Sequence, residues 1–264
     1  MRVSLVGVGN VGYHLAQRFT EKGVLIHQIF GRNLQKINAL GNELGTTGTT
    51  DLATLSDKST IYILAIKDDA IAEVAAQLAY LNHPSRIFAH TSGATSSKIL
   101  APYFQNYGIF YPLQTFSRAV PIDFDTLPIC ICANDPLAEQ QLVALAKQIC
   151  PNVYHLSDEQ RQGLHVGAVM VNNFTNHLFA IAADICQQQQ LPFELLKPLI
   201  RETVNKLAYL NPKVAQTGPA LRGDQGTVNT HLSYLNNFPV YSALYKNLSD
   251  SIQTMYGISP ENKI

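Results

Sequence analysis

The sequence predicts an α/β domain built on a doubly wound, mostly parallel sheet, followed by an all-α C-terminal domain. Three observations predict it. Short β-branched runs alternate with helical segments over residues 1–156, a glycine-rich turn joins the first run to the first helix, and no strand pattern appears after Leu156. Alternation of this kind implies parallel strands with helices on both faces of one sheet. The domains are accordingly placed at 1–156 and 157–264.

Strands are expected at 3–6, 24–30, 61–66, 86–90, 109–111, 129–133 and 153–156. The first helices are expected at 11–22, closed by Gly23, at 34–44, capped by Asn33 and closed by Gly45, and at 70–81. These limits follow the chemistry of helix caps and stops. The pattern then changes. Ser157-Asp158-Glu159-Gln160 reads as a capping box opening a long helix to about Gln190, before Pro192. A further helix is expected over 193–210. The tail is interrupted by Asn211-Pro212 and Thr217-Gly218-Pro219, then reads helical through Tyr234 and over 240–256.

Composition narrows the function classes. The chain of 264 residues is 46% hydrophobic and 14% charged, ample for real cores. Nineteen basic and nineteen acidic residues balance, which argues against a nucleic-acid or membrane-surface partner. Charged or amide residues interrupt every apolar run before membrane length. The first strand runs straight into the glycine turn, leaving no room for a signal peptide, so a cytoplasmic protein is expected. The four cysteines fit that compartment. Cys130 and Cys132 alternate along an expected strand, with no second pair at ligand spacing, and are read as core residues with no metal.

Gly7-Val8-Gly9-Asn10-Val11-Gly12 is a G-x-G-x-x-G turn. Its context gives it weight. It follows an apolar strand directly and opens a helix whose Val11, Leu15 and Phe19 recur at helical spacing. The three glycines then serve a tight turn, close backbone approach to a pyrophosphate, and close helix–strand packing, with the helix N-terminus facing the phosphates. This is the Rossmann arrangement; the alternative is a plain βα turn. An NAD site places an acid about 20 residues on, for the ribose 2′-hydroxyl. No Asp or Glu occurs between Glu21 and Glu43, and Phe30 is instead followed by Gly31-Arg32-Asn33. Arg32 can clamp a 2′-phosphate and Asn33 can add a donor, so the expected cofactor is NADP(H). A solvated arginine is the rival reading.

Other strand ends converge on the same edge, where open α/β sheets bind their ligands. They contribute Ile66, Lys67 and Asp68, then Thr91 and Ser92, and then Gln114. Each could merely cap a turn; together they are read as the nicotinamide and substrate side of the site.

The glycine turn, Ala65-Ile66-Lys67-Asp68-Asp69-Ala70-Ile71, His90-Thr91-Ser92-Gly93-Ala94 and Tyr111-Pro112-Leu113-Gln114-Thr115-Phe116 resemble a bacterial family of NADP oxidoreductases without an assigned substrate. Thr217-Gly218-Pro219-Ala220-Leu221-Arg222-Gly223-Asp224 with His231-Leu232 is the most specific part of the resemblance, which covers nearly the whole chain. The family pairs a Rossmann domain with a helical domain of unknown function. It is similar in plan to pyrroline-5-carboxylate reductase and to deazaflavin-dependent NADP oxidoreductases. The resemblance implies a dimer with an active cleft between domains. Two departures matter. β-Hydroxyacid dehydrogenases of similar plan carry a lysine where this chain has His165 and an asparagine where it has Val169. The Pro-Gly-Gly-Thr segment of pyrroline-5-carboxylate reductases is replaced by Thr217-Gly218-Pro219-Ala220.

Counted along one helix, His165, Val169, Asn172 and Asn176 share a face, extended backwards by Asp158 and Arg161. One reading is a wet face of an amphipathic helix. The other assigns catalysis to His165 as proton donor with Ser92 and Asn172, and substrate binding to Asn176 and Arg222. Arg222 could hold a substrate carboxylate, whereas Asp224 reads as structural. The expected function is hydride transfer between NADP(H) and a small carbonyl or imine. The alternative, kept open by the missing lysine, is a non-catalytic NADP(H)-binding sensor or scaffold. Large apolar residues in the tail (Leu232, Tyr234, Leu235, Phe238, Val240, Tyr241, Leu244, Tyr245) point to a homodimer through the helical domain.

Overall fold

The computed structural model describes residues 1–258. Its strands and helices run, in order, β1 (Arg2–Val6), α1 (Asn10–Glu21), β2 (Leu25–Phe30), α2 (Leu34–Leu44), β3 (Thr47–Thr49), β4 (Ile61–Leu64), α3 (Ile71–Gln77), β5 (Ile87–His90), β6 (Tyr107–Pro112), β7 (Ile129–Ala133), α4 (Pro136–Ile149), β8 (Val153–His155) and α5 (Asp158–Ala168). After a π-helical turn at Val169–Phe174 come α6 (Thr175–Gln188), α7 (Lys197–Asn205), α8 (Pro212–Ala215), α9 (Gln225–Tyr234) and α10 (Pro239–Met255).

The strands form one sheet in the order β3-β2-β1-β4-β5-β6-β7-β8. Every pairing is parallel except β6 with β7. The chain reverses its direction of winding between β1 and β4, which is where such sheets open a crevice at their carboxyl edge. The doubly wound class expected above is the one observed. Period-two alternation builds the two cores. Ile61 and Ile63 of β4 join α1, α2 and α4 on one face, while Tyr62 and Leu64 join α3 and the 97–104 segment on the other.

Three local features differ from the sequence expectation. β3, Thr47-Gly48-Thr49, adds an eighth strand too short and too glycine-interrupted to show a period. Helix α4 is announced by Asp135, whose carboxylate accepts from the Leu137 and Ala138 N–H groups, with Pro136 opening the first turn. The expected 70–81 helix is shortened to a single α segment with 3₁₀ turns at both ends.

The described chain divides into two compact units, one from Met1 to Phe174 and one from Thr175 onward. The change from strands to helices at Ser157 thus lies inside the first unit, because α5 is fastened to the sheet by buried polar contacts set out below. Among the described residues of the second unit every regular element is helical, and no described helix is long and apolar enough to cross a membrane.

Candidate active site

The glycine turn has the shape of a dinucleotide cradle. Gly7 sits at φ 103°, and a Cβ there would fall 2.4 Å from the Ala65 carbonyl oxygen and 2.6 Å from Ile66. A Cβ on Gly12 would lie 2.0 Å from the Gly7 carbonyl oxygen, so α1 can approach the turn only as glycine. Gly9 is different: no atom lies within 4 Å of its Cβ position. The backbone there is bare to anything arriving from outside, which is the role of the second glycine. Helix α1 has no side-chain cap and no acid in its first turn, whereas α2, α4 and α5 are capped by Asn33, Asp135 and Ser157. Its first N–H groups and positive dipole end are left for an anion.

Several expected cofactor residues border this cradle. Val11 is half-buried in α1. Asn10 donates from Nδ2 to the Phe116 carbonyl at 2.9 Å, and His14 Nε2 donates to the Ser117 carbonyl at 2.9 Å. Arg118, which sequence reasoning missed, donates to the Val8 carbonyl and lies 4.8 Å from the centre of the Tyr13 ring. The segment after β6 is thereby stitched to the turn, with a cation beside it. At the end of β2, Arg32 is exposed and makes no hydrogen bond or ion pair among the described residues. Asn33 uses its Oδ1 to cap α2, accepting from Lys36 N–H at 2.9 Å, which leaves its amide N–H₂ to donate elsewhere.

The ends of β4, β5 and β6 supply the rest. Lys67 is exposed; the Thr91 N–H is tied to the Leu64 carbonyl, and Gln114 accepts from the following N–H at 2.9 Å. Ser92 proves to be an internal tie. Its Oγ donates to Asp68 at 2.6 Å and accepts from Ala94 and Thr95 N–H groups at 3.1 and 2.9 Å. With its proton and both lone pairs engaged, the hydroxyl has nothing left for a substrate. The structure therefore moves Ser92 from the catalytic group to the residues that shape the loop.

That loop is clamped by α5. Arg161 is 1% exposed, and donates to the carbonyls of Ser92 (2.8 Å), Gly93 and Thr95 (2.6 Å) and to Asp158 at 2.9 Å. Asp158 also accepts from Ser96 Oγ at 2.6 Å and from the Ser97 N–H and hydroxyl, both at 2.9 Å. Burial opposes ionisation of Asp158, but these hydrogen bonds outweigh it and hold the carboxyl below its ordinary range. Beneath the clamp, buried His90 accepts at Nδ1 from Ser92 N–H (3.2 Å) and donates from Nε2 to the Ser96 carbonyl (3.3 Å). Desolvation pushes its pKa down to about 4, so it is a neutral structural group.

One turn after Arg161 on the same helix comes His165. It is half-buried, its Nδ1 lies 3.0 Å from the Tyr111 hydroxyl, and the two rings meet edge to face at 5.9 Å. The imidazole lies over Gly93, where a Cβ would fall 2.3 Å from Nδ1. His165 is thus brought to the carboxyl edge of β5 and β6, beside the Ser92 loop. The expected polar stripe does not continue from it. The π-helical turn at Val169–Phe174 takes more residues per turn than an α-helix, so the i, i+4, i+7 count loses phase before Asn172. Asn172 and Asn176 are exposed, and Asn176 belongs to the second unit. In that unit Asp224 caps α9 through the Thr227 N–H and hydroxyl, while the Arg222 guanidinium stays largely exposed, 4.0 Å from Asp224. Cys130 and Cys132 lie along β7; burial raises both thiols to about 11, and all four cysteines are free.

Comparison with known proteins places the chain in a family. Residues 2–87 match the family model described as NADP oxidoreductase, coenzyme F420-dependent. Residues 127–252 match a domain of unknown function, DUF2520. A candidate NADP oxidoreductase of Bacteroides fragilis is 36% identical, with a TM-score of 0.89 covering 96% of this chain and 98% of that one. The chain belongs to that NADP oxidoreductase family. Outside the family the fold recurs in a Streptomyces aurantiacus imine reductase (14% identity, TM-score 0.71, covering 96% of this chain and 94% of that one). It recurs also in 1-pyrroline-5-carboxylate reductase of Streptococcus pyogenes (14%, 0.61, 96% and 98%). No curated protein matches the sequence.

Proposed function

We propose that this member of the family is an NADP(H)-dependent reductase of a small carbonyl or imine, working at the carboxyl edge of β4, β5 and β6. The observation that carries the reading is the cradle: a bare Gly9 backbone at an uncapped helix start, with an unpartnered Arg32 and no acid at the end of the neighbouring strand. Gly7, Gly9, Val11 and Gly12 would hold the pyrophosphate, and Arg32 with the Asn33 amide would hold the 2′-phosphate. Ile66, Lys67, Asp68, Thr91 and Gln114 would border the nicotinamide half. When bound, NADPH supplies the hydride. The chain orients the acceptor and delivers a proton from His165, whose Nε2 has no partner among the described residues.

The second unit supports assembly as a homodimer. Leu199, Tyr209, Val214 and Val240 are 65%, 87%, 70% and 72% exposed in the single chain, more apolar surface than a monomer ordinarily leaves in water. Light scattering at micromolar concentration tests it, a monomer mass counting against it. The functional reading is tested by titration with NADPH and NADH, followed by NADPH oxidation against small aldehydes, ketones and cyclic imines. Equal affinity for the two cofactors would remove the reading of Arg32; tight NADPH binding without any turnover would favour a sensor.

A further inference from the structure

We infer that Tyr111 is a positioning residue that locks His165 as an Nε2–H donor, and that the site it builds takes a carbonyl oxygen rather than an iminium nitrogen. The inference rests on the reductase reading above and adds to it a residue and a substrate class.

The Tyr111 hydroxyl and His165 Nδ1 are 3.0 Å apart, with the hydroxyl at the end of buried β6. Either atom could in principle donate. A phenol hydroxyl is a good donor and its oxygen a modest acceptor, whereas the bare imidazole nitrogen is a strong acceptor. The pair is therefore best satisfied as O–H to Nδ1, leaving the ring proton on Nε2. Burial pushes the Tyr111 phenol up to about 12, so it keeps its proton at neutral pH. The ring is held at this edge by the Tyr111 contact and by packing on one face. Gly93 carries one face of it, within 3 Å of Nδ1, Cγ and Cε1 measured from a Cβ position, and Arg161 pins the carbonyls of Ser92 and Gly93 beneath.

If His165 is protonated, both nitrogens carry hydrogen, so Nε2 is a donor in either charge state. A donor in both states complements a carbonyl oxygen. It does not complement an iminium, whose nitrogen also presents hydrogen and positive charge. With a hydride supplied to the carbonyl carbon by bound NADPH, the C=O π pair would move to oxygen. The Nε2 proton passes to that oxygen as the Tyr111 proton passes to Nδ1. Imidazole is left neutral, and water reprotonates the phenolate.

Long-range ¹H–¹⁵N NMR on the full-length protein at about pH 8, where an ordinary imidazole is neutral, reads the tautomer without any substrate. The His165 signals are identified by their loss in His165→Gln. The wild type should show the Nε2–H form, and Tyr111→Phe should show a mixture of tautomers while melting as a folded protein. An Nδ1–H form in the wild type, or an unchanged spectrum in Tyr111→Phe, overturns the inference. In the same protein with NADPH, a ketone should turn over at least about tenfold faster than the N-methylated cyclic iminium of matching skeleton, and Tyr111→Phe should lower kcat for the ketone about tenfold with KM within about twofold. Faster turnover of the iminium overturns the assignment of substrate class. Failure to bind NADPH would instead remove the reductase reading and leave the tautomer result standing.

Discussion

The imidazole of His165 rests on Gly93 so closely that a methyl group at position 93 would lie 2.3 Å from Nδ1. Glycine is required there by the neighbouring ring, since this residue is not among the glycines with positive φ. Gly93→Ala should displace the imidazole, lowering turnover by about tenfold or more and stability by about 1–3 kcal/mol from overpacking. In a His165→Ala background the stability penalty should disappear. A double-mutant cycle by urea unfolding measures this coupling, and additive losses would show that the ring does not sit where described.

Arg161 provides a second test, this time of the scaffold. Its removal leaves the carbonyls of Ser92, Gly93 and Thr95 and the Asp158 carboxylate without their shared partner. Arg161→Leu should destabilise the protein by about 3–5 kcal/mol, the usual cost of breaking a buried pair from one side. A loss below about 1 kcal/mol in urea unfolding would mean that water reaches the clamp.

Much of the candidate cofactor cradle is legible in the sequence because its signals are local. The three glycines, the strand before them, Arg32 and the absent acid lie within the first βαβ unit. The pairs that build the β5–β6 edge of the candidate site are not local. Tyr111 and His165 are 54 positions apart, and Arg161 and Ser92 are 69 apart, so no periodicity could announce either. In the sequence Asp158 and Arg161 only extend a polar stripe, wet or site-facing; tertiary packing shows them turned onto the Ser92–Ser97 loop. The π-helical turn is hidden for another reason. Val169-Met170-Val171-Asn172-Asn173-Phe174 has nothing that a continuous α-helix would reject, and the phase error it introduces defeats the count to Asn172. The capping box at Ser157, by contrast, forms as written, with both reciprocal hydrogen bonds present.

His90 makes stability depend on pH. Its pKa falls from 6.5 to about 4 on folding, because burial disfavours the imidazolium. Between those values the unfolded chain binds more protons than the native one, so this contribution is complete above pH 6.5 and declines as pH falls toward 4. The total is on the order of 3 kcal/mol. His90→Asn, which cannot titrate, should unfold with a visibly flatter pH dependence across that window. An identical slope in the variant would place the titrating group elsewhere.

Arg32 is the residue proposed to read the 2′-phosphate. Wild-type protein should bind NADPH more tightly than NADH, and Arg32→Ala should reduce the preference by about tenfold or more, about 1.4 kcal/mol, by weakening NADPH alone. Calorimetric titration of both cofactors checks it. A variant that loses NADH and NADPH equally would show Arg32 to be a support of the fold and no reader of the 2′-phosphate.

The role of His165 is measured by comparing wild type and His165→Ala in NADPH oxidation with a small ketone, alongside NADPH affinity. His165 is placed at the β5–β6 edge by Tyr111 and Gly93, and it makes no contact that shapes the glycine turn among the described residues. The variant should therefore turn over about a hundredfold more slowly while its Kd for NADPH stays within about twofold. Equal turnover in the two proteins, or a loss of activity that follows a loss of NADPH binding, would contradict it.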